Sequence, residues 1–273
     1  MIGIQGAPLE DGAEIQNNLL RALRPADLAL LRPHLKLIQA AAGDVICEPG
    51  DQVLHAYFPS GQTLTSFVVV LEDGRGVETA LVGREGAMGG IVSQGRLPAY
   101  SRAVVQFPGA LYRIESRELE AAKMQSLSLR HLFARYADCL MAQVFQSVAC
   151  NAVHSIEQRT ARWIVAALER TGDHDIPLTQ EQLAGMLGVG RSYISRVVQS
   201  LKTRGILATR RGGVRVNDLD ELNQLACGCQ DAVRRHFDEV LVGVYPTEEE
   251  STAQKEALGE AAPGARMKEA VDR

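Results

Sequence analysis

One face of a predicted helix carries side chains that could bind the edges of DNA bases. Apolar residues recur at intervals of three and four between positions 194 and 201, which predicts a helix with one buried stripe. The stripe is Ile194, Val197, Val198 and Leu201. Its burial turns outward Arg191, Ser192, Ser195, Arg196 and Gln199. Arginine can pair bidentately with guanine in the major groove, and Ser and Gln can read or position around it.

A second, shorter helix is predicted just before this one. Thr179 is a good N-cap, and Gln182, three residues later, completes a capping box. Gly188 suits a left-handed turn between the helices, and Gly205 suits the end of the second helix. The pattern predicts a helix-turn-helix, and a solvated helical hairpin is the alternative.

The charge of this region favours a polyanionic partner. No acidic residue occurs from Gln182 to Asn217, although the whole chain has a formal net charge of −4. The basic residues in this span are Arg191, Arg196, Lys202, Arg204, Arg210, Arg211 and Arg215. A solvated surface normally mixes both signs, so a patch of one sign on an acidic protein indicates nucleic acid.

A β-hairpin is predicted directly after the second helix. Two short strand-like runs, 206–209 and 214–216, flank Arg210-Arg211-Gly212-Gly213, where Gly-Gly is read as the turn. Such a hairpin is a wing whose arginines would lie near the phosphate backbone. The predicted DNA-contacting residues are Thr179, Gln180, Arg191, Ser192, Tyr193, Ser195, Arg196, Gln199, Lys202, Arg210 and Arg211.

Metal, redox and enzyme chemistry are not expected. Cys47, Cys139 and Cys150 are too dispersed for an iron–sulfur cluster, and the thiolates of Cys227 and Cys229 alone do not fill a tetrahedral site. All five cysteines are therefore predicted to be free thiols, with no metal or cofactor. Zinc or redox chemistry at the close pair, and haem ligation by His55 or Cys47, are minor alternatives, and His154 is expected to be structural.

The sequence has no phosphate-binding Walker loop and no Gly-x-Ser-x-Gly elbow, so an enzyme is not expected.

The residues before position 115 predict a β-rich domain at 17–114. Met1 to Gln16 lacks periodicity and is expected to be a loose arm, and one or two short helices follow up to Leu37. From Ala40 to Ile114, short strand-like runs alternate with Gly- and Pro-containing turns. This arrangement is typical of a barrel or jelly-roll-like sandwich.

A long helix is predicted next. Glu115 to Thr171 contains neither proline nor glycine. We expect a dimerisation helix at 115–150 and a second helix from about Ser155 to Glu169, which begins a winged domain at 151–225. The a/d-like spacing that predicts the dimer seam comprises Leu129, Leu132, Phe133, Tyr136, Leu140, Val144, Val148 and Asn151. Packing of these residues on the β-rich domain of the same subunit is the alternative.

The rest of the chain is predicted to be less ordered. A short helix is expected at 218–230 with a continuation at 234–244, followed by a disordered tail at 246–273. No apolar run is long enough to span a bilayer, and residues 1–9 lack the features of a secretory signal. A cytoplasmic location is expected, without membrane association.

In this order, a β-rich domain, a long helix and a winged helix-turn-helix resemble the CRP/FNR superfamily of bacterial transcription regulators. The resemblance covers roughly 19–225 and is most specific at 178–216. Gly50-Asp51 and Gly83-Arg84-Glu85-Gly86-Ala87-Met88-Gly89 add support. The resemblance implies an α+β fold with an N-terminal double-stranded β-helix as sensor. It also implies a homodimer that binds double-stranded promoter DNA, a small-molecule effector and contact with RNA polymerase.

Two departures from the family pattern affect specificity. The family's recognition helix often has Glu-x-x-Ser-Arg, where this chain has Ser192 to Arg196, so Arg196 is expected to read guanine without the usual Glu. Cyclic-nucleotide binders have an Arg-Ser-Ala run, whereas this chain has Ser101-Arg102-Ala103. A shift of one residue turns a strand side chain to the opposite face, so Arg102 is expected to point away from the pocket.

The effector is therefore expected to be something other than cyclic AMP or GMP. A regulator responsive to these cyclic nucleotides is the alternative. The candidate effector residues are Arg84, Glu85, Gly86, Ala87, Ser101 and Arg102.

Overall fold

Two antiparallel sheets pack against each other in the N-terminal part of the computed structural model, which describes residues 6–10, 12–91, 97–242 and 244. The first sheet has, in spatial order, β1 (Ala7–Pro8), β2 (Lys36–Ala40), β9 (Gly109–Glu115), β4 (His55–Pro59) and β7 (Met88–Gly89). The second has β3 (Val45–Cys47), β8 (Arg102–Phe107), β5 (Leu64–Val70) and β6 (Gly76–Val82). Apolar side chains of both sheets share buried clusters, as Ile38 of β2 does with Val105 of β8. The β-rich N-terminal domain is confirmed, and we refer to it as the β-sandwich.

The segment before the β-sandwich is more structured than expected. Two short helices, α1 (Asn18–Arg21) and α2 (Pro25–Leu31), are present, and the turn Arg32–His34 follows. The expected loose arm is wrong in part, because β1 pairs with β2 and places Ala7 opposite Leu37. A two-residue strand is too short to give a periodic sequence pattern.

The predicted long helix is divided by serine caps. The helices are α3 (Ser116–Gln125), α4 (Leu127–Val153) and α5 (Ile156–Thr171). Ser126 is extended, with φ −128° and ψ 115°, and its hydroxyl accepts a hydrogen bond from the amide of Leu129. A single dimerisation helix over 115–150 is therefore wrong, because a serine can cap a helix where no Pro or Gly interrupts the sequence. The predicted second helix is confirmed, and Ser155 and Gln158 form its capping box.

Part of the predicted dimer seam lies inside the subunit. Leu129, Phe133 and Tyr136 are buried in one apolar cluster with Phe58 of the β-sandwich. For these residues the alternative of packing within the subunit is correct. An apolar stripe of α4 is exposed, namely Met141, Phe145 and Val148, with 49, 64 and 66% of their surface accessible. Of these three residues, Val148 belongs to the predicted seam.

The C-terminal elements form a winged domain and one additional helix. The domain comprises α5, β10 (Asp175–Ile176), α6 (Gln180–Leu187), α7 (Arg191–Thr203), β11 (Leu207–Arg210), β12 (Gly213–Val216) and α8 (Leu219–Leu225). Helix α9 (Cys229–Val240) packs against α4, and its Val233 and Phe237 enter the same buried cluster as Phe133. The predicted tail at 246–273 lies outside the described residues. Among the helices that are described, none is long and apolar enough to cross a membrane.

Candidate nucleic-acid interface

Helices α6 and α7 form the helix-turn-helix, and local sequence signals explain their ends. Thr179 and Gln182 make the predicted capping box at the start of α6. Gly188 ends α6 in the left-handed region at φ 68°, and Gly205 follows α7 at φ 79°. The buried stripe of α7 is the predicted one, Ile194, Val197, Val198 and Leu201. The helix-turn-helix of residues 180–203 is therefore formed as the sequence indicates.

The opposite face of α7 is polar and largely open to solvent. Its exposed side chains are Arg191, Ser192, Tyr193, Arg196 and Gln199. Ser195 differs, because it is half-buried and its hydroxyl donates a hydrogen bond of 2.8 Å to Oε1 of Gln180 at the start of α6. Ser195 and Gln180 therefore orient the two helices relative to each other in this structure.

Arg196 is oriented by its neighbour on the same face. Its guanidinium carbon lies 5.1 Å from the centre of the Tyr193 ring, within the range of a cation–π contact. Among the described residues Arg196 has no ion pair with an acidic group. An exposed, pre-oriented guanidinium on a helix face is suited to bidentate hydrogen bonding with a base edge.

The basic region is partly neutralised by acidic residues that lie outside it in the sequence. Arg204 pairs with Glu221 at 2.7 Å, and Arg215 pairs with Asp175 at 2.6 Å. The patch of one sign in the sequence is therefore smaller in the folded protein. Within the described structure Arg196, Lys202 and Arg211 lack acidic partners, and the nearest acidic atoms to Arg191 and Arg210 are 3.9 Å away.

The wing is a three-stranded sheet in the order β10, β12, β11. Arg210 pairs with Gly213, so the turn is Arg211-Gly212, one residue earlier than the predicted Gly-Gly. Gly213 instead lies inside the sheet, at a position where a Cβ would overlap the carbonyl oxygen of Ile176. A groove of about 400 Å³ lies between the wing and the starts of α6 and α7, lined in part by Thr179, Gln180, Arg191 and Arg210. These four predicted DNA-contacting residues are thus brought together.

The predicted effector residues do not form one pocket. Glu85 is buried and accepts a hydrogen bond from Nε of Arg170 in α5 at 3.0 Å, and from the amide of Gly83. A Cβ on Gly86 would overlap the Tyr136 hydroxyl, which also bonds the backbone of Ala87. The Gly83–Ala87 turn therefore contacts α4 and α5, which places Glu85 in an ion pair between domains.

Two further effector candidates lie on the second sheet, at and beside the start of β8. Arg102 is partly exposed, and its Nε lies 2.9 Å from Oε2 of Glu48. The neighbouring Ser101 carbonyl is 3.9 Å from the Cys47 sulfur. Arg102 thus has an acidic partner on the protein, which a cyclic phosphate would have to displace.

An apolar cavity of about 290 Å³ lies between the β-sandwich and α4. It is lined by Phe67, Ala87, Gly89, Ile91, Tyr136, Ala137, Leu140, Met141 and Val144. None of the described residues that line it is charged. Only Ala87 belongs to the predicted effector set. The α4 residues could not be assigned to this cavity from the sequence, because apolar spacing does not distinguish a pocket wall from a core.

A buried carboxyl connects the β-sandwich to the winged domain. Trp163 of α5 donates a hydrogen bond of 2.7 Å from Nε1 to Oε1 of Glu78 on β6. Oε2 of Glu78 is buried and has no hydrogen-bond partner among the described residues. Burial raises the pKa of Glu78 to about 7, although Trp163, Arg162 and Arg170 oppose the shift. Sequence patterns gave no sign of this contact between positions 85 residues apart.

One group of side chains could hold a metal ion. Cys227 and Cys229 alone offer two thiolates, and the fold places Cys150 and His154 beside them. The four potential ligand atoms all lie within 4.8 Å of one another. The expectation that the pair lacks further ligands is therefore wrong, because packing of α9 on α4 brings together residues that are distant in the sequence.

Comparisons with known proteins agree with this geometry. Residues 158–225 match the model of the Crp-like helix-turn-helix domain. A CRP-family transcriptional regulator from Thermus thermophilus is 20% identical with a TM-score of 0.59, over 69% of this chain and 95% of that one. FixK2 from Bradyrhizobium japonicum is 14% identical with a TM-score of 0.59, over 71% and 98%. The c-di-GMP-responsive global regulator CLP from Xanthomonas campestris is 16% identical with a TM-score of 0.56, over 71% and 100%. Among curated proteins, none has a sequence that matches this chain.

Proposed function

We propose that this chain, a transcription regulator of the CRP/FNR type, binds promoter DNA as a homodimer through the exposed face of α7 and the wing. The observation that carries the proposal is the solvent-facing guanidinium of Arg196, stacked on Tyr193 in the middle of the recognition helix. Arg196 would bind a guanine, and Arg210 and Arg211 would contact phosphates. The proposal includes contact with RNA polymerase and a cytoplasmic location.

The exposed stripe of α4 supports the homodimer. Met141, Phe145 and Val148 recur at intervals of four and three, the spacing of a coiled-coil seam. Large exposed apolar side chains that share one helix face favour an interface over a solvated surface. Pairing of α4 with its copy would place two recognition helices about 34 Å apart on a palindrome.

The apolar cavity beside α4 supports an effector without a buried phosphate. A buried phosphate needs a compensating cation, and no charged group is present among the described residues that line the cavity. Met141 and Val144 line the cavity and lie on or next to the proposed dimer stripe, so occupancy could change how the subunits pair. A cyclic-nucleotide-responsive regulator is the second candidate, favoured only by Arg102 on the second sheet.

The proposal is tested by selecting an operator from random duplexes and measuring the binding of substituted proteins. Arg196→Ala should lose about 1–3 kcal/mol on the selected site and relax the preference at one base pair. Arg204→Ala is the matched control, because this arginine of the same basic region is paired with Glu221. An equal loss of Arg196→Ala binding on selected and random DNA would show that Arg196 contacts phosphate rather than a base. A selected site without two-fold symmetry would contradict the homodimer.

A further inference from the structure

We propose that Cys150, His154, Cys227 and Cys229 bind one zinc ion at the junction of the long helix, the winged domain and α9. None of these residues belongs to the DNA-binding face or to the apolar cavity. The site therefore stands independently of the proposed DNA binding.

The distances between the ligand atoms fit a single tetrahedral ion. Sγ of Cys150 lies 3.5 Å from Sγ of Cys227, and Sγ of Cys229 lies 3.5 Å from Nδ1 of His154. With Zn–S of about 2.3 Å and Zn–N of about 2.0–2.1 Å, tetrahedral geometry places two sulfurs about 3.8 Å apart and sulfur and nitrogen about 3.6 Å apart. These two separations are close to the tetrahedral values, and all four ligand atoms lie within 4.8 Å of one another. The separation of the two sulfurs is also much longer than the roughly 2.05 Å of a disulfide.

The four ligands lie on two short segments of the chain, at the end of α4 and at the start of α9. Cys150 lies in the last turn of α4, and His154 is the C-cap of that helix, where its backbone amide donates a hydrogen bond to the carbonyl of Cys150. Cys227 and Cys229 flank Gly228, which is the N-cap of α9. The three cysteines are buried and form an apolar cluster of their own, while the histidine is half-buried. A site with four protein ligands and little access to water is of the structural rather than the catalytic kind.

The surroundings match the charge of a zinc site with three thiolates. Zn²⁺ with three thiolates and a neutral imidazole has a net charge of −1. The guanidinium groups of Arg159 and Arg162 both act electrostatically on Cys150. Arg159 is buried, and its Nε has no hydrogen-bond partner among the described residues. Gln146 also approaches, with its side-chain nitrogen 3.1 Å from Sγ of Cys229, as an outer partner that orients a thiolate.

The ligand types favour zinc over other common divalent ions. Thiolate and imidazole are poor ligands for Mg²⁺ and Ca²⁺, which prefer oxygen. Bound zinc would connect the end of α4, next to the α4–α5 break, to the segment between α8 and α9. The ion would therefore stabilise the docking of α9 on α4 and fix the angle at which the winged domain leaves the long helix.

The test measures metal in the full-length protein without reference to DNA. Native mass spectrometry of protein expressed with added zinc should show one zinc per chain. Cys227→Ser should lose it, whereas Cys47→Ser, the matched control outside the cluster, should retain it. Loss of a hydrogen bond to a metal ligand typically weakens metal binding about 10–100-fold. Gln146→Leu should therefore weaken zinc binding by a factor in that range, and His154→Ala should weaken zinc binding at least as much.

A spectroscopic measurement on the wild type avoids dependence on variants that fail to fold. Zinc is removed with a chelator and the protein is titrated with Co²⁺. One equivalent should produce the intense visible bands of a tetrahedral ion and the near-ultraviolet charge-transfer bands of cobalt–thiolate bonds. Absence of zinc in the isolated protein together with absence of these bands overturns the proposal. So does a Cys150–Cys227 disulfide in protein isolated under reducing conditions, or full zinc binding by Cys227→Ser.

Discussion

Replacement of Glu78 by Gln should stabilise the protein more at alkaline pH than at pH 5. Glu78 Oε1 accepts a hydrogen bond from Trp163, and its Oε2 is buried without a partner among the described residues. A neutral carboxyl suits this position better than a carboxylate, and burial raises its pKa from 4.5 to about 7. Glutamine keeps an oxygen for Trp163 and cannot ionise.

The size of the effect follows from the two pKa values. The folded protein binds the proton more tightly than the unfolded chain, so the stability gained from the neutral carboxyl is fully present below pH 4.5 and is lost as the pH rises through about 7. Since one pKa unit corresponds to about 1.4 kcal/mol, the ionised carboxyl above this range destabilises the folded state by about 3 kcal/mol. The guanidinium groups of Arg162 and Arg170 lower the pKa of Glu78, and the value of about 7 is the result of burial and of this opposing effect together.

Trp163 is the single tryptophan of the chain, so its fluorescence reports on this contact. Urea unfolding followed by that fluorescence should show Glu78→Gln more stable than wild type by about 3 kcal/mol near pH 8.5 and by about 1 kcal/mol near pH 5. Glu72→Gln, an exposed position in the turn between β5 and β6, is the control and should change stability equally at both pH values. A Glu78→Gln effect that is the same at both pH values would refute the reasoning, because the carboxyl would then titrate alike in both states.

Three further outcomes are expected. Phe145→Glu should convert the dimer to a monomer in sedimentation, because it places a charge in the exposed apolar stripe of α4. Arg130→Glu, at an exposed position of the same helix, is the control and should leave the dimer intact. A Phe145→Glu protein that is still a dimer would contradict the proposed role of this stripe. Arg211→Ala should weaken binding to all duplexes alike and lower the slope of log affinity against log salt by about 1, and an unchanged slope would remove Arg211 from the phosphate contacts. Arg170→Met should destabilise the protein by about 3–5 kcal/mol in thermal unfolding, because it removes the guanidinium that pairs with the buried Glu85 carboxylate. Glu85→Gln combined with Arg170→Met should recover much of that loss, and additive losses would show that the two groups act independently.

The helix-turn-helix could be predicted from sequence because its signals are local. Thr179, Gln182, Gly188 and Gly205 determine helix ends through hydrogen bonds and dihedral angles within a few residues of themselves. The stripe from Ile194 to Leu201 has a single interpretation, since the other face of the helix is polar and the stripe is the face that can be buried. Most of the candidate DNA-binding surface follows from these residues without knowledge of the tertiary structure.

Features that depend on packing between distant segments could not be predicted in this way. The spacing of Leu129, Phe133 and Tyr136 suits either a dimer or the subunit core, and only the position of the β-sandwich decides between them. Arg204 and Arg215 appear unpaired in the sequence because Glu221 and Asp175 lie outside the basic stretch. The same applies to Cys227 and Cys229, whose partners come from a helix much earlier in the chain.

The contacts of the predicted effector turn suggest how an effector signal would reach the DNA-binding face. Ala87 borders the apolar cavity, and two residues earlier Glu85 is paired with Arg170 at the end of α5. Tyr136 of α4 also lines the cavity, and its hydroxyl accepts a hydrogen bond from the amide of Ala87 and donates one to the carbonyl of Ala87. A ligand that shifts Ala87 away from α4 would therefore disturb the Tyr136 bonds and the Glu85–Arg170 pair together. Because α5 leads through β10 into α6, such a shift would move α7 relative to the axis of the proposed dimer without any change within the helix-turn-helix itself.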